Sequence, residues 1–121
     1  MNADELKLRT KKYALRIIKL VKALPNNTEG RVIGNQLIRC GTSVGANYRA
    51  VCRARSTAEF IAKFGIVLEE ADESAFWLEL IIDSKLLKEE LVKSLLEETR
   101  EIIAISVSSL NTAKNKSKIK I

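Results

Sequence analysis

Residues 39–56, RCGTSVGANYRAVCRARS, concentrate the side chains of this chain that could do chemistry. The segment holds both cysteines, two of the five glycines and four arginines. A glycine-rich stretch can cradle a phosphate, but GTSVGAN lacks the lysine of a P-loop and no predicted strand precedes it. Cys40 and Cys52, 12 residues apart on a helix, would lie roughly 18 Å from each other, which is too far for a disulfide. The segment therefore predicts neither a phosphate loop nor a redox pair.

The rest of the sequence offers little to an enzyme. The chain contains no histidine, so we expect no histidine general base, and two cysteines alone cannot complete a zinc site. Carboxylates cluster at Glu69, Glu70, Asp72 and Glu73, but their positions scatter around a helix and the Glu-x-x-His pairs of di-metal bundles are absent. We expect no enzyme, no metal and no cofactor.

The hydrophobic pattern predicts the elements that position these residues. Few helix breakers and many helix formers predict an all-α protein. The 3.6-residue period predicts helices over about 3–24, 28–54, 57–84 and 88–113, with Thr28 and Ser56 as N-caps. Their short connections favour an antiparallel up-down-up-down four-helix bundle over residues 1–113, followed by a basic, frayed C-terminal tail over 114–121. No membrane span or signal peptide is visible, so we expect a cytoplasmic location.

Charge is distributed unevenly along the chain. Residues 1–58 carry 12 Lys and Arg against 3 Asp and Glu, residues 59–101 carry 5 against 12, and residues 102–121 carry 4 lysines. A basic half can attract an acidic half within or between subunits, or it can attract a polyanion. The candidate nucleic-acid-binding residues lie on helices 1 and 2, away from the predicted core. They are Arg9, Lys12, Arg16, Lys19, Arg31, Arg39, Arg49 and Arg53.

Two explanations remain open for the arginines of the second helix. They could pair with acids of the third helix, in the same subunit or the next, or they could contact phosphates, since a guanidinium suits both. Base-stacking aromatic residues are scarce on this face. Nucleic-acid binding here would therefore be directed at the backbone and would have little sequence specificity.

Small and polar residues of the second helix have structural interpretations. Gly41 and Gly45 lie beside the predicted core stripe, and each interior glycine costs up to about 1 kcal/mol relative to alanine. They therefore predict a close helix approach or a bend. Asn47 falls in the core seam and needs a hydrogen-bond partner, which we expect on another helix.

A second apolar face predicts self-association. Large apolar residues lie outside the core stripes of the first and third helices, and an isolated bundle would expose them, whereas a symmetric oligomer would bury them. The predicted oligomer interface comprises Leu8, Leu15, Ile66, Phe76, Trp77 and Leu80. The alternative is that a loop or the C-terminal tail covers them.

Residues 39–81 closely resemble the family of four-helix-bundle proteins encoded in intervening sequences of bacterial 23S rRNA genes, and the similarity extends over about residues 5–113. Its markers are SVGAN at 43–47, AEF at 58–60, and EADE followed by WLE within 70–79. The resemblance implies an antiparallel four-helix bundle that forms a ring-like homopentamer, with no established catalytic residues. Many members carry proline where this chain has Gly45, which favours a bend there.

Two functions follow as hypotheses. The first is a non-enzymatic, oligomeric bacterial protein that associates with RNA, or with DNA, through the basic faces of helices 1 and 2. The second is a protein-interaction scaffold for a partner such as a reverse transcriptase. The second rests on the accessory protein of diversity-generating retroelements, which is similar to this family and binds a reverse transcriptase and nucleic acid.

Overall fold

Four α-helices and no strand make up residues 1–119, the part of the chain that the computed structural model describes. The helices are α1 (Ala3–Ala23), α2 (Thr28–Cys52), α3 (Thr57–Asp83) and α4 (Glu89–Ile119). Each helix packs antiparallel against the next, and α4 returns beside α1. Of the four neighbouring pairs of helices, α1 and α4 have the least contact. The predicted all-α, up-down-up-down four-helix bundle is confirmed. No helix in this part of the chain is long and apolar enough to cross a membrane.

Side-chain caps begin the first three helices. The Asn2 side chain accepts the Glu5 N–H at 2.8 Å, and Ser56 accepts the Glu59 N–H at 3.0 Å, as the sequence predicts. For α2 the predicted cap, Thr28, is wrong by one residue. Asn27 has the extended backbone that a cap requires, and its side chain accepts the Gly30 N–H at 2.8 Å.

The connection between α3 and α4 is a tight turn. Lys85 adopts a left-handed conformation with φ of 60°. The Leu86 N–H donates to the Ile81 carbonyl at 3.1 Å, and the Lys85 N–H donates to the Ile82 carbonyl at 3.0 Å. This is the Schellman pattern, which satisfies carbonyls at a helix end and reverses the chain.

The last helix is longer than the sequence predicts. The apolar pattern stops at Ala113, but α4 continues through the lysine-rich segment to Ile119. Lysine is a good helix former, and the cations Lys116 and Lys118 in the last turn complement the helix dipole. Residues 114–119 are therefore helical rather than a frayed tail, and 120–121 lie outside the described residues.

A single hydrophobic core runs through the bundle. All four helices contribute apolar side chains to it. The largest apolar side chains that are fully buried in it are Tyr13, Ile17, Leu37, Leu78, Ile81 and Ile102.

One polar layer crosses the middle of this core and takes one residue from each helix. The Tyr13 hydroxyl lies 2.6 Å from the Thr99 Oγ1 atom, and the Ser74 hydroxyl lies 3.2 Å from the Cys40 sulfur. Burial raises the pKa of Tyr13 to about 12 and also raises the pKa of Cys40, so both groups stay neutral. Ser74 and Thr99 also donate to carbonyls of their own helices, whereas the buried Tyr13 hydroxyl has its partner across the core, so the layer favours one register of α1 against α4.

α2 lies close to α1 at its glycines. A Cβ atom placed on Gly41 would lie 2.8 Å from Cγ1 of Ile17, and one placed on Gly45 would lie 3.2 Å from the carbonyl oxygen of Thr10. The first distance is shorter than side chains tolerate, so larger residues on this strip would force the helices apart. The packing therefore requires glycine at position 41.

Asn47 finds its partner within its own helix. Its Nδ2 atom donates to the Ser43 carbonyl at 2.9 Å, one turn back along α2. The expected bond to another helix is wrong, because the side chain is only half-buried and the preceding turn is within its reach.

Two glycine substitutions should change stability in opposite directions. Gly41→Ala should lower the free energy of unfolding by about 1–3 kcal/mol, because the buried Ile17 cannot move away from the new methyl group. Gly65→Ala is the matched control. A Cβ at Gly65 meets nothing within 4 Å, so the gain in helix propensity should stabilise the protein by about 0.5–1 kcal/mol. Urea denaturation at a fixed protein concentration measures both, and a neutral or stabilising Gly41→Ala would contradict the packing account.

Candidate nucleic-acid interface

A groove between α1 and α2 collects four cationic side chains. Lys7 and Lys11 line it from α1, and Arg49 and Arg53 line it from α2. Its volume is about 440 Å³. The remaining lining residues are small and form its floor: Ala14, Thr42, Gly45 and Ala46. We call this feature the α1–α2 groove.

The close helix approach explains why these cations meet. Gly45 lies against the Thr10 carbonyl, and Lys7 and Lys11 stand on either side of Thr10 along α1. Arg49 follows Gly45 by one helical turn, and Arg53 is the C-cap of α2. Because α1 and α2 touch at Gly45 and Thr10, the cations that flank this contact on the two helices line the same groove.

The four cations have no carboxylate partners in the structure. No Asp or Glu of residues 1–119 lines the α1–α2 groove. No carboxylate oxygen among those residues lies within 4.0 Å of the charged nitrogens of these four residues. Four uncompensated positive charges along one groove favour the binding of an anion.

Arg9, by contrast, is held by carboxylates of α4. Its Nε and Nη2 atoms donate to the two Glu98 oxygens at 2.7 and 2.6 Å, and its Nη2 atom lies 3.3 Å from Glu101. These hydrogen bonds raise the pKa of Arg9 above its usual range. The bidentate pair joins α1 to α4, the neighbouring helices with the least contact in the bundle.

Arg39 is held by carboxylates of α3. Its guanidinium bonds to Glu73 and lies 3.4 Å from the Glu70 carboxylate, and it also donates to Gln36 at 3.2 Å. Of the two explanations open for the arginines of α2, pairing with acids of the third helix within the same subunit is the one the structure shows for Arg39.

The remaining predicted residues occupy separate positions. Arg16 donates to the Ser94 hydroxyl at 2.9 Å, and Arg31 donates to the Asn26 side chain at 3.2 Å. Lys12 and Lys19 are exposed on α1. The eight predicted residues therefore do not form one continuous surface, and the structure brings only Arg49 and Arg53 together in the α1–α2 groove.

Sequence reasoning missed Lys7 and Lys11. Lys11 falls on the side of α1 opposite the predicted core, as the selected cations do, and both Lys7 and Lys11 flank the contact of α1 with α2. The available signal was their spacing of four residues, which places both on one strip of α1. That this strip faces the glycine strip of α2 is a property of the packing.

A family comparison places the chain among known proteins. Residues 5–108 match the model of the 23S rRNA-intervening sequence protein family. The chain belongs to this family. Among solved structures, it is similar to a protein of unknown function from the S23 ribosomal protein family of Bacteroides thetaiotaomicron. The two are 38% identical, with a TM-score of 0.80 over 86% of this chain and 96% of the other. No curated protein matches the sequence.

The predicted interface residues of this family member lie on two separate helices. Leu8 and Leu15 are exposed on α1, which packs against α2 and α4 and lies diagonally across the bundle from α3. The four predicted interface residues of α3 share one strip of the helix, named here the α3 stripe: Ile66, Phe76, Trp77 and Leu80.

The members of the α3 stripe differ in exposure. Phe76 is 52% exposed, whereas Trp77 and Leu80 are half-buried. The Trp77 ring packs edge-on against Phe76, and its Nε1 atom donates to Glu73 at 3.2 Å. Val32 of α2, which sequence reasoning missed, is also exposed. Trp77 thus supports the subunit itself, and Phe76 is the cleaner probe of any interface.

The bidentate pair of this family member should contribute measurably to stability. Glu98→Gln removes the charge that meets Arg9 and should lower the free energy of unfolding by about 1–2 kcal/mol, because the pair is bidentate and partly buried. Glu97→Gln alters the exposed neighbouring residue and should change stability by less than about 0.5 kcal/mol. Thermal denaturation compares the two variants. Equal effects would show that the pair adds nothing beyond a surface charge.

Proposed function

We propose that this protein is a non-enzymatic, oligomeric RNA-binding protein that contacts the phosphate backbone through the α1–α2 groove. The observation that carries the proposal is the meeting of Lys7, Lys11, Arg49 and Arg53 in one groove that no carboxylate of the described residues enters. A phosphate backbone carries negative charges at regular intervals along a line. The cations that line the two sides of the α1–α2 groove match that arrangement.

The floor of the groove supports backbone contact over base recognition. Its residues are small, and no aromatic side chain of residues 1–119 lines it, so a base would find no surface on which to stack there. Binding of this kind depends on counterion release and weakens steeply with salt. We therefore expect affinity for structured RNA with little sequence preference.

Family membership supports RNA as the first ligand to test. The family takes its name from intervening sequences of 23S rRNA, and a ligand of that kind would place the protein in the bacterial cytoplasm. DNA carries the same backbone charge, so a DNA duplex belongs in the same experiment as the competing ligand.

The α3 stripe supports self-association. Phe76 and Ile66 expose apolar surface next to the acidic residue Glu69 of α3, whereas the outer faces of α1 and α2 are basic. A copy that presents a basic face to the α3 stripe of its neighbour would combine apolar burial with charge complementarity. We propose a homopentamer, the assembly implied by the family resemblance.

A scaffold for another protein is the second candidate function, and the same stripe favours it. An apolar stripe flanked by charged residues is typical of a protein interface, and a reverse transcriptase is the partner implied by the resemblance to retroelement accessory proteins. If the stripe binds such a partner, the isolated protein should remain a monomer in solution.

Charge reversal in the α1–α2 groove should abolish most RNA binding. Lys11→Glu combined with Arg53→Glu should weaken affinity for a structured RNA by about tenfold or more and should reduce its salt dependence, because phosphate contacts are lost. Filter binding at several salt concentrations measures both effects. Lys88→Glu combined with Lys93→Glu is the control, since it changes net charge equally outside the groove.

Three outcomes would contradict this assignment. If both double variants lose equal affinity, only net charge matters and the α1–α2 groove is not the site. If a DNA duplex binds as tightly as the RNA, the ligand class is wrong. If the groove variant instead breaks the oligomer, Lys11 and Arg53 meet a neighbouring subunit.

A charge in the α3 stripe should disrupt the oligomer. Phe76→Glu should shift the mass measured by sedimentation from the oligomer toward the monomer, because a carboxylate would be buried at the interface without a partner. Val107→Glu, on the exposed side of α4, should leave the mass unchanged. An unchanged mass for Phe76→Glu, with the fold intact by circular dichroism, would show that the interface lies elsewhere.

A further inference from the structure

A second opening lies at the end of the bundle where α2 finishes and α3 begins. The carboxyl-terminal part of α4 and Ala3 of α1 close its other sides. Its volume is about 770 Å³, within the range of about 300–1,000 Å³ that is usual for small-molecule sites. We call it the end cleft.

One wall of the end cleft is aromatic and rigidly supported. Tyr48 and Phe60 line it. Both rings pack edge-on against Phe64, with centroid distances of 5.6 Å for Tyr48 and 5.5 Å for Phe60. Burial raises the pKa of Tyr48 above its usual range, so its phenol stays neutral. Tyr48 is only 6% exposed, so the half-buried Phe60 ring supplies the accessible aromatic surface and Tyr48 and Phe64 support it.

The rim of the end cleft is polar and cationic. Ser108, Ser109 and Thr112 supply hydroxyls from α4, and Arg55 and Lys116 supply positive charges. No carboxylate of residues 1–119 lines the end cleft. The cleft therefore combines an apolar wall with groups that bind an anion.

The nearest carboxylates leave the rim cations free. Glu59 accepts the backbone N–H of Arg55 at 3.3 Å, but neither the Arg55 guanidinium nor the Lys116 ammonium has a carboxylate of the described residues within 4.0 Å. The negative charge of Asp4 raises the pKa of Tyr48, but more weakly than burial and Cys52 do.

The end cleft also adjoins the α1–α2 groove. Arg53 lines the groove, and its chain neighbours Cys52 and Ala54 line the cleft. A single turn at the carboxyl end of α2 thus separates the cations of the groove from the aromatic wall. A strand that follows the groove past Arg53 would arrive at the mouth of the end cleft.

We propose that the end cleft binds one unpaired nucleotide, with its base against the Phe60 ring and its phosphate between Arg55 and Lys116. The inference rests on the proposed function and deepens it, because it gives an otherwise sequence-tolerant backbone binder a preference for nucleic acid with a single-stranded end. The same chemistry is offered by a free mononucleotide, and the experiment separates the two sources.

The test compares two RNA hairpins with identical stems, one blunt and one with a short single-stranded 3′ overhang. The intact protein should bind the overhang hairpin about tenfold more tightly, the gain typical of stacking an unpaired base on aromatic side chains. Thr112→Trp should fill the cleft from the exposed face of α4 and reduce the affinity for the overhang hairpin to that for the blunt one. Asn111→Trp places the same side chain at an exposed position of α4 that does not line the cleft, so it should keep the preference.

Titration with AMP, followed by NMR, forms a second arm on the same variants. Binding of AMP to the intact protein and to Asn111→Trp, but not to Thr112→Trp, would show that the cleft accepts a nucleotide without a strand. In the same spectra, the chemical shifts of residues far from the cleft show whether each variant keeps the fold.

The outcomes separate the two proposals. If both hairpins bind equally well, or if Thr112→Trp keeps the overhang preference, the end-cleft inference is overturned and the function of the α1–α2 groove survives. If neither hairpin binds at low salt, the proposed RNA function fails. In that case the AMP arm decides, since AMP binding that Thr112→Trp abolishes supports the cleft for a free nucleotide, and absent AMP binding overturns it.

Discussion

The close contact of α1 with α2 is the constraint on which the candidate interface depends. Gly41 and Gly45 leave room for Ile17 and for the backbone at Thr10, so the two helices lie closer than larger side chains would allow. Because helices this close bring their flanking positions together, cations that are distant in sequence converge on one groove. The glycines weaken the helix locally, and tertiary packing offsets that cost.

Whether a cation of this protein can bind an anionic ligand depends on whether it already pairs with a carboxylate, more than on the net charge of the chain. Arg9 and Arg39 belong to the same basic half as Arg49 and Arg53, yet the first two are bonded to carboxylates of α4 and α3 within the subunit. A guanidinium already bound to a carboxylate has fewer donors and less net charge to offer a phosphate. The structure thus divides the basic half of the chain into residues that join helices and residues that face a groove.

The buried polar layer helps to set the positions of the helices relative to one another. Tyr13 pairs with Thr99 and Ser74 pairs with Cys40 across the core, and sliding α1 along α4 would take the buried Tyr13 hydroxyl away from its partner Thr99. The register that this layer favours also sets which turn of α1 faces Gly45 and how far α4 extends beyond the end of α2. The α1–α2 groove and the end cleft both depend on that register.

The sequence alone determined the number of helices, their approximate bounds, the antiparallel order and the family, because hydrophobic periodicity and turn residues are local signals. It also showed that α2 needs small residues on one strip. It could not show that Asn47 bonds within its own helix, or that α4 extends beyond Ala113. Only the tertiary structure decided which cations are paired and which share a groove, and it brought in Lys7 and Lys11. Ion pairs and grooves arise between helices, so their residues are set by packing and register that no single helix contains.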